Sequence, residues 1–225
     1  MNGTSSTALI VGASRGIGLG LTRELLERGW QVTGTVRDPD AALPLAGATV
    51  AVVDVSDPGA PAALRAGLGT ETLDLLLLNA GVTGPAHQSA DRVTADELGA
   101  LFLVNAAAPV RLARALFDRV RPGGVVAFTS SRMGSVADNH TGDMELYRAS
   151  KAALNSLVRG FAATSGRGDV AVLVLHPGWV RTEMGGPDAP LDVATSARGL
   201  ADVIARHRGT GRHAFVDHAG AELPW

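Results

Sequence analysis

Two residue types occur only once in this chain of 225 residues, and the two residues lie four positions apart. Tyr147 is the single tyrosine, and Lys151 is the single lysine among 20 basic residues, the other 19 being arginine. Side chains four residues apart lie on one face of a helix. A phenol has a pKa of about 10, and a neighbouring ammonium can lower it by roughly 1–3 units, so Tyr147 can give a proton to an oxygen atom. The alternative, a core aromatic residue beside a solvated lysine, requires this spacing to arise by chance.

Two serines and one asparagine are further candidates for the same chemistry. Ser130 and Ser131 follow the apolar run Val125–Phe128, and a serine hydroxyl beside a carbonyl can stabilise the oxyanion that develops on its oxygen. Serine also ends strands for reasons of turn geometry alone. Asn105 lies within an apolar helical stretch, where asparagine has a poor propensity. A buried structural asparagine is the alternative to a catalytic one.

A glycine-rich loop, Gly12-Ala-Ser-Arg-Gly-Ile-Gly18, follows the apolar run Ala8–Val11 and leads into a helical stretch. Glycines allow a tight turn and a close approach of the backbone to a pyrophosphate, and a helix N-terminus offers free N–H groups. The spacing Gly-x-x-x-Gly-x-Gly differs from the Gly-x-Gly-x-x-Gly of most dinucleotide-binding folds. The loop predicts a dinucleotide site, with an ordinary strand–turn–helix connection as the alternative.

The end of the second apolar run bears on the choice between the two nicotinamide cofactors. An acidic residue at this place binds the ribose 2′-hydroxyl of NAD, whereas a nearby arginine accepts the 2′-phosphate of NADP. Here Arg37 and Asp38 follow the run, and Arg15 in the glycine loop is a second cation. The arginines favour NADP. Asp38 leaves NAD open, and a solvated surface residue is the alternative reading of Arg37.

The candidate motifs follow short apolar runs that alternate with stretches of helical period. The runs lack alternation of apolar and polar residues, so they predict strands buried on both faces, as in a parallel sheet. The order predicts one doubly wound α/β (Rossmann-type) domain over residues 1–225, with about seven strands, helices on both faces and the catalytic site in the same domain. The predicted strands are Ala8–Val11, Val32–Val36, Thr49–Val53, Leu73–Leu78, Val125–Phe128, Val170–Leu175 and Ala214–Val216, and the predicted helices are Ile17–Arg28, Ala95–Val120 with an interruption near Pro109, Tyr147–Thr164 and Leu191–His207.

Composition and charge exclude several classes of protein. The chain has no cysteine, which excludes disulfides, thiolate catalysis and cysteine-ligated metal sites. A net charge of −2 without a basic stripe predicts no nucleic-acid partner, and the six histidines lack metal-ligand spacing, so no metal is expected. The first seven residues lack the features of a signal peptide, and apolar runs such as Leu75–Leu78 are far shorter than a membrane span of about 18 residues. We therefore expect a soluble, cytoplasmic protein without a membrane partner.

The order of these motifs resembles that of the short-chain dehydrogenase/reductase family, nearly from end to end. The residues that carry the resemblance are the glycine pattern, Asn79-Ala80-Gly81, Asn105, Ser131, Tyr147-x-x-x-Lys151 and His176-Pro177-Gly178. More narrowly, the chain is similar to C-factor/sniffer-like carbonyl reductases in Thr-Val-Arg37-Asp-Pro, the segment from His176 to Gly186, the 16 positions from Ser131 to Tyr147, and the terminal Leu-Pro-Trp225. Val11 replaces the family's Thr and Leu78 replaces its first Asn, which we expect to alter packing under the cofactor rather than catalysis.

The resemblance implies an NADPH-dependent carbonyl reductase in which Tyr147 is the general acid and Ser131, rather than Ser130, assists it. It also implies that Lys151 holds the nicotinamide ribose hydroxyls and that the Asn105 carbonyl anchors a proton-relay water. The residues it places at the cofactor are Gly12, Ser14, Arg15, Gly16, Ile17, Gly18, Arg37, Asp54, Val55, Asn79, Ala80, Gly81, Tyr147, Lys151, Pro177, Gly178, Val180 and Thr182. Arg132, Trp179 and Met184 are expected to border a small carbonyl substrate.

The resemblance also implies a partner and a rival function. Relatives pair through the helices that correspond to Ala95–Val120 and Tyr147–Thr164, which implies a homodimer or homotetramer. Because C-factor relatives are associated with cell–cell signalling, the rival is a dinucleotide-binding regulatory protein with little or no turnover; an intact Ser/Tyr/Lys set favours the enzyme. Only about 15 residues separate the sixth predicted strand from the helix at Leu191, which predicts a short substrate lid, an open pocket and loose selectivity.

Overall fold

Seven parallel strands form one sheet in the computed structural model, which describes residues 5–225. The first four residues, which belong to the segment predicted to lack the features of a signal peptide, lie outside this range. The strands are β1 Thr7–Val11, β2 Gln31–Val36, β3 Thr49–Val52, β4 Leu73–Leu78, β5 Val120–Thr129, β6 Ala171–His176 and β7 His213–Asp217. They lie in the order β3-β2-β1-β4-β5-β6-β7. The predicted strands are confirmed, although β5 begins at Val120 rather than Val125, across an irregularity in its pairing with β4.

Helices cover both faces of this sheet. The α-helices of the described residues are α1 Gly16–Glu27, α2 Ala60–Leu68, α3 Ala95–Phe102, α4 Ala108–Leu116, α5 Glu145–Thr164 and α6 Val193–His207. Buried residues of α1 and α6 pack on one face, and those of α2, α4 and α5 pack on the other. The sequence did not predict α2, which is only nine residues long and has Leu64 and Leu68 as its only large apolar residues.

Neighbouring residues of a strand contribute to opposite cores, as the absence of alternation predicted. In β4, Leu76 and Leu78 face α2, α4 and α5, whereas Leu75 and Leu77 face α1 and α6. A strand covered on both faces needs no polar positions. Val11 and Leu78, the two departures from the family pattern, are 1% and 2% exposed within the same core. Their side chains therefore act in packing beneath the carboxyl edge of the sheet.

The long helical stretch that precedes β5 is interrupted by a π-helical turn. α3 ends at Phe102, and the turn Leu103–Ala107 joins it to α4. Pro109 has no N–H to donate to the Asn105 carbonyl four residues earlier, which disfavours a regular α-helix here. By length and composition the stretch Ala95–Arg119 is apolar enough to cross a membrane, but more than half of its most apolar part is buried inside the protein. The stretch is thus a core helix that carries Asn105 on a π turn, a feature frequent at functional sites.

The amino edge of the sheet is held by one buried carboxylate. Asp74 in β4 is 7% exposed. Its Oδ2 accepts hydrogen bonds from the Thr7 N–H (2.9 Å) and from Arg121 Nη1 (2.7 Å), and its Oδ1 accepts one from Arg208 Nη2 (2.6 Å). Asp74 thereby joins β4 to β1, to β5 and to the end of α6. Because it lies at the end of the strands opposite the predicted site, its role is structural.

Asp74→Asn should lower the free energy of unfolding by about 2–3 kcal/mol, because it weakens hydrogen bonds to charged groups and turns an amide N–H₂ toward a guanidinium. Urea denaturation measures the change. Asp169→Asn makes the same chemical change in an exposed ion pair with Arg167 and should leave stability unchanged. Equal effects of the two substitutions would show that the Asp74 network contributes no more than a surface pair.

Candidate active site

The glycine loop between β1 and α1 is shaped by its contact with the end of β4. Gly12 has a φ of +88°, and a Cβ there would lie 2.8 Å from the backbone N and Cα of Ala80. At Gly18 a Cβ would overlap the Gly12 carbonyl. Both positions therefore require glycine, one for conformation and both for space. Arg15, which precedes α1, makes no side-chain hydrogen bond to the first turn, so the N–H groups of that turn can bind an anionic ligand.

Asn79 ties the carboxyl ends of three strands together. The Val11 carbonyl accepts hydrogen bonds from the backbone N–H groups of Asn79 and Ala80, both at 2.9 Å. The Asn79 side chain donates to the Gly12 carbonyl (2.7 Å) and accepts a bond from the Thr129 hydroxyl (3.0 Å). β1, β4 and β5 are thus joined at the point where the strand order reverses, which is where ligands bind in doubly wound sheets.

Lys151 reaches this point from α5. The residue is 3% exposed, and its Nζ donates a hydrogen bond to the Thr129 carbonyl (2.9 Å). A Cβ at Gly81 would lie 3.4 Å from Nζ, and one at Gly134 would lie 2.9 Å from the Lys151 backbone. Burial disfavours the ammonium and lowers the pKa of Lys151 to about 8. Lys151 is therefore a buried cation at the ends of β4 and β5, beside Gly81 and Thr129, and the alternative of a solvated lysine is wrong.

Tyr147 lies one turn before Lys151, whose Nζ is 5.8 Å from the centre of the phenol ring. Tyr147 is partly exposed as a residue, yet burial of its hydroxyl raises the pKa of the phenol to about 12, an effect that a hydrogen bond with Ser131 partly offsets. The lowered pKa expected from the sequence is wrong for the protein alone. The reason is geometric: the ammonium binds the Thr129 carbonyl rather than the phenol oxygen.

The two serines after β5 have different partners. The Ser130 hydroxyl donates to Asn155 Oδ1 (2.7 Å), and Asn155 Nδ2 donates to the Gly134 carbonyl (3.1 Å). Ser130 thus fixes the loop against α5. The Ser131 hydroxyl accepts a bond from the Met133 N–H (3.1 Å), and it is the polar group beside the Tyr147 hydroxyl that partly offsets the effect of burial on the pKa of the phenol. This geometry supports Ser131 as the serine beside the reacting groups.

Asn105 is fully buried and holds the chain that leaves β4. Its Oδ1 accepts a hydrogen bond from the Val82 N–H, and its Nδ2 donates to the Val82 carbonyl, both at 2.8 Å. Nδ2 also donates to the Ser150 hydroxyl at 3.0 Å. The side chain therefore has the structural role that the sequence left as an alternative. The backbone carbonyl of Asn105, to which Pro109 cannot donate, is a separate group.

The segment after β6 lies across the edge from the glycine loop. Val180 pairs with Leu191, and the Thr182 methyl lies 3.4 Å from the place of a Cβ at Gly16. Pro177 and Gly178 precede this pairing on the same segment. Trp179, 56% exposed, donates from Nε1 to the Gly185 carbonyl (2.7 Å), and Met184 is 51% exposed. These two large apolar side chains are available to a ligand at this edge.

The cations predicted at the 2′-phosphate have different surroundings. Arg37 is exposed at the end of β2. The Asp38 carboxylate accepts the Asp40 N–H (3.0 Å) and caps the short 3-10 helix Pro39–Leu45, so it is turned toward that helix. Arg15 forms an exposed ion pair with Glu183 of the segment after β6.

The remaining predicted residues lie along the same edge. Ser14 and Ile17 belong to the glycine loop and the first turn of α1. Asp54 follows β3 and accepts hydrogen bonds from the Ser56 hydroxyl and N–H, which lower the pKa of Asp54. Next to it, the buried Val55 carbonyl accepts Arg111 Nη2 at 2.7 Å. After Ser131, Arg132 is exposed, with its Nε 3.4 Å from Asp138.

Three residues that contact the site had no signal in the sequence. Glu183 pairs with Arg15, and Gln88 and Ser150 hydrogen-bond the backbone of Tyr147. Each depends on the fold or on the local turn of α5 rather than on a spacing. Within residues 5–225, no group of three His, Cys, Asp or Glu side chains can hold a metal ion.

Comparisons with known proteins agree with this geometry. The family model of the short chain dehydrogenases matches residues 6–190. The C-signal of Myxococcus xanthus is 40% identical over 158 residues, which cover 69% of this chain and 95% of that protein. A short-chain dehydrogenase/reductase from Burkholderia multivorans with bound NADP has a TM-score of 0.94 and 38% identity, over 99% of this chain and 100% of that chain. A carbonyl reductase from Pseudomonas aeruginosa PAO1 in complex with NADP has a TM-score of 0.92 and 44% identity, over 99% and 100%.

Lys151→Met should stabilise the cofactor-free protein at pH 7. Below pH 8, Lys151 is charged in both the folded and the unfolded protein, so the cost of burying its charge opposes folding in full. Between the folded pKa of about 8 and the ordinary value of 10.5, only the unfolded chain keeps the proton on Lys151. The free-energy cost of burying the charge therefore disappears as the pH rises through this range. We expect a gain of up to about 3 kcal/mol, since one pKa unit is about 1.4 kcal/mol.

Urea denaturation at pH 7 and at pH 10 measures this gain. It should be smaller at pH 10, and the ionisation of Tyr147 is common to both proteins and cancels. A gain of equal size at both pH values would mean that packing, and not the buried charge, explains it.

Proposed function

The chain belongs to the short-chain dehydrogenase family of oxidoreductases, and we propose that it is an NADPH-dependent reductase of ketone or aldehyde carbonyls. The observation that carries the proposal is the meeting of Ser131, Tyr147 and Lys151 at the sheet edge where the glycine loop lies. Catalysis and cofactor binding then belong to one domain over residues 1–225. The proposal includes a cytoplasmic location, a small carbonyl substrate, no nucleic-acid partner, and assembly as a homodimer or homotetramer.

The residues at the edge fit a dinucleotide. A Cβ at Gly12 or Gly18 would collide with neighbouring atoms of the protein, so both positions need glycine for the loop to keep its tight turn. The first turn of α1 offers free N–H groups to the pyrophosphate. Asp54, Val55 and the segment Asn79–Gly81 would flank the adenine and its ribose. Pro177, Gly178, Val180 and Thr182 would contact the cofactor from the segment after β6. When bound, NADPH supplies a hydride to the carbonyl carbon.

Lys151 is suited to hold the ribose beside the nicotinamide. An ammonium has three donors, and Lys151 gives one to the Thr129 carbonyl, which leaves two for ribose hydroxyls. Its pKa of about 8 keeps it mostly charged at pH 7. The buried Lys151 ammonium would therefore orient the cofactor. Its Nζ also lies 5.8 Å from the centre of the Tyr147 ring.

Tyr147 is suited to give the proton. With a pKa of about 12 the phenol stays protonated at neutral pH. As the carbonyl carbon gains a hydride, the C=O π bond breaks and the oxygen takes the hydroxyl proton of Tyr147, so that a C–H and an O–H bond form. The Ser131 hydroxyl, which hydrogen-bonds Tyr147, can donate to the same oxygen while charge develops on it. Arg132, Trp179 and Met184 would border the substrate.

NADPH should bind at least about tenfold more tightly than NADH, because Arg37 can pair with the 2′-phosphate while Asp38 is held by the turn it caps. Titration of both cofactors against the fluorescence of the three tryptophans measures the preference. Arg37→Asp should remove it, and Arg198→Asp on the exposed side of α6 is the matched control. Equal affinities in the wild type, or an unchanged preference in Arg37→Asp, would overturn the assignment of NADP.

Tyr147→Phe should abolish reduction of carbonyl compounds and leave NADPH affinity nearly intact, because it removes one hydroxyl and keeps the ring. General acid catalysis contributes roughly 10²–10⁴-fold, so the residual rate should be near background. The measurement is the loss of NADPH absorbance with a panel of ketones and aldehydes. Substantial turnover by this variant would mean that another group gives the proton.

The similarity to the C-signal of Myxococcus xanthus favours a second candidate, a regulatory protein that binds a dinucleotide with little turnover. An assay of the wild-type protein, rather than of the variants, distinguishes the two functions. A protein that binds NADPH tightly and oxidises it with no carbonyl compound of the panel is the outcome that this candidate predicts.

A further inference from the structure

The helix that carries Tyr147 lacks a local cap at its N-terminus. Met144, the residue before α5, has left-handed φ and ψ of 54° and 41° and gives no side-chain hydrogen bond to the first turn. The first helical bond runs from the Arg148 N–H to the Met144 carbonyl. The N–H of Tyr147 is therefore one of the donors that a helix start leaves without an intrahelical partner.

Gln88, from the loop after β4, supplies the missing acceptor. Its Oε1 accepts the Tyr147 N–H at 2.9 Å. Its Nε2 donates to the Thr83 carbonyl (2.9 Å) and to the Pro85 carbonyl (2.8 Å). The residue is 9% exposed and has a φ of +49°, in the region that non-glycine residues rarely adopt. All three hydrogen bonds of this amide are thus made inside the protein, at a strained backbone position.

The Tyr147 carbonyl is held as well as its N–H, and both contacts belong to one closed ring of hydrogen bonds. The Ser150 hydroxyl donates to the Tyr147 carbonyl at 2.7 Å and accepts a bond from Asn105 Nδ2 at 3.0 Å. Asn105 binds both backbone groups of Val82, the residue before the loop segment that Gln88 holds. The ring therefore runs from Val82 through Asn105 and Ser150 to Tyr147, and back through Gln88.

We propose that Gln88 is a positioning residue for proton transfer: it fixes the backbone of Tyr147 to the loop after β4. The inference rests on the proposed function, because it assumes that Tyr147 gives the proton. Gln88 does not touch the reacting atoms. A second tether between the same two segments, from the Ala90 N–H to the Glu145 carboxylate (2.8 Å), lies on the surface and does not reach the backbone of Tyr147.

The proposal follows from the dependence of the position of the Tyr147 hydroxyl on the position of its backbone. The phenol hydroxyl lies at the far end of a long side chain, so a small rotation of the first turn of α5 displaces it strongly. A misplacement near 1 Å can lower a rate about 100-fold. The loss of the Gln88 side chain frees one donor of that turn and two carbonyls of the loop. The Tyr147 backbone is then held only at its carbonyl, through Ser150 and Asn105, so the first turn can rotate about this remaining contact.

Gln88→Leu should lower kcat about 10–100-fold per folded molecule and leave NADPH affinity unchanged, because the Gln88 side chain hydrogen-bonds Tyr147, Thr83 and Pro85 rather than the glycine loop or Lys151. Gln88→Glu keeps an oxygen for the Tyr147 N–H and should retain more activity than Gln88→Leu. Gln31→Leu, the same change at the other, exposed glutamine, is the control. Circular dichroism gives the folded fraction.

Two results would overturn the proposal: a wild-type kcat per folded molecule in Gln88→Leu, or no advantage of Gln88→Glu over Gln88→Leu. If Gln88→Leu does not fold, Gln88→Ala takes its place, because it also removes the acceptor of the Tyr147 N–H. A structural role alone predicts a lower melting temperature at an unchanged kcat, and that result would overturn the proposal.

A spectroscopic measurement separates this proposal from the proposed function. Because Tyr147 is the single tyrosine, the near-ultraviolet absorbance of tyrosinate reports its ionisation alone, with Lys151 and Ser131 as the polar groups that face the phenol. Gln88→Leu should ionise at a lower pH than the wild type, since water reaches a displaced phenol, whereas Gln31→Leu should not. An unchanged titration would contradict the positioning role. Absence of carbonyl reduction by the wild type, with a shifted titration, would instead overturn the proposed function.

Discussion

The packing of the end of β1 against the end of β4 is the constraint on which the rest of the site depends. The Val11 carbonyl accepts two N–H groups from β4, and Asn79 bonds the Gly12 carbonyl on one side and the Thr129 hydroxyl on the other. Because a Cβ at Gly12 would collide with Ala80, the same contact dictates a glycine and opens the backbone to a ligand. The glycine loop is therefore a consequence of strand packing as much as of ligand binding.

This packing also decides where charge can lie. Thr129 gives its hydroxyl to Asn79 and its carbonyl to the Lys151 ammonium, so the buried cation is held at the strand junction. Burial disfavours the charged forms of Lys151 and Tyr147 on α5: the pKa of Lys151 falls to about 8 and that of Tyr147 rises to about 12. At neutral pH the site thus holds one cation and one neutral acid, which are the protonation states that proton donation to a carbonyl oxygen requires.

The sequence predicted the strands and the Tyr147/Lys151 pair because both follow from local patterns: apolar runs without alternation, and a spacing of one helical turn. It failed where long-range geometry decides. The pKa of Tyr147 moves opposite to the expectation, since a spacing does not tell which oxygen the ammonium binds. The contact of Gln88 with Tyr147 spans 59 positions, and the ion pair of Arg15 with Glu183 spans 168. No periodicity connects such residues, so only the folded chain reveals them.

A remote cap has a physical advantage over a local one at the start of α5. A capping side chain just before the helix would attach it to the segment after Ser131, where Val136 is 74% exposed. Gln88 instead attaches it to the chain that leaves β4, whose end is already bonded to β1. The left-handed backbone at Gln88 and at Met144 costs about 1–3 kcal/mol at each position and persists only where surrounding contacts over-determine it. Tyr147 and the glycine loop are thereby both anchored to β1 and β4, which fixes their separation without a direct contact between them.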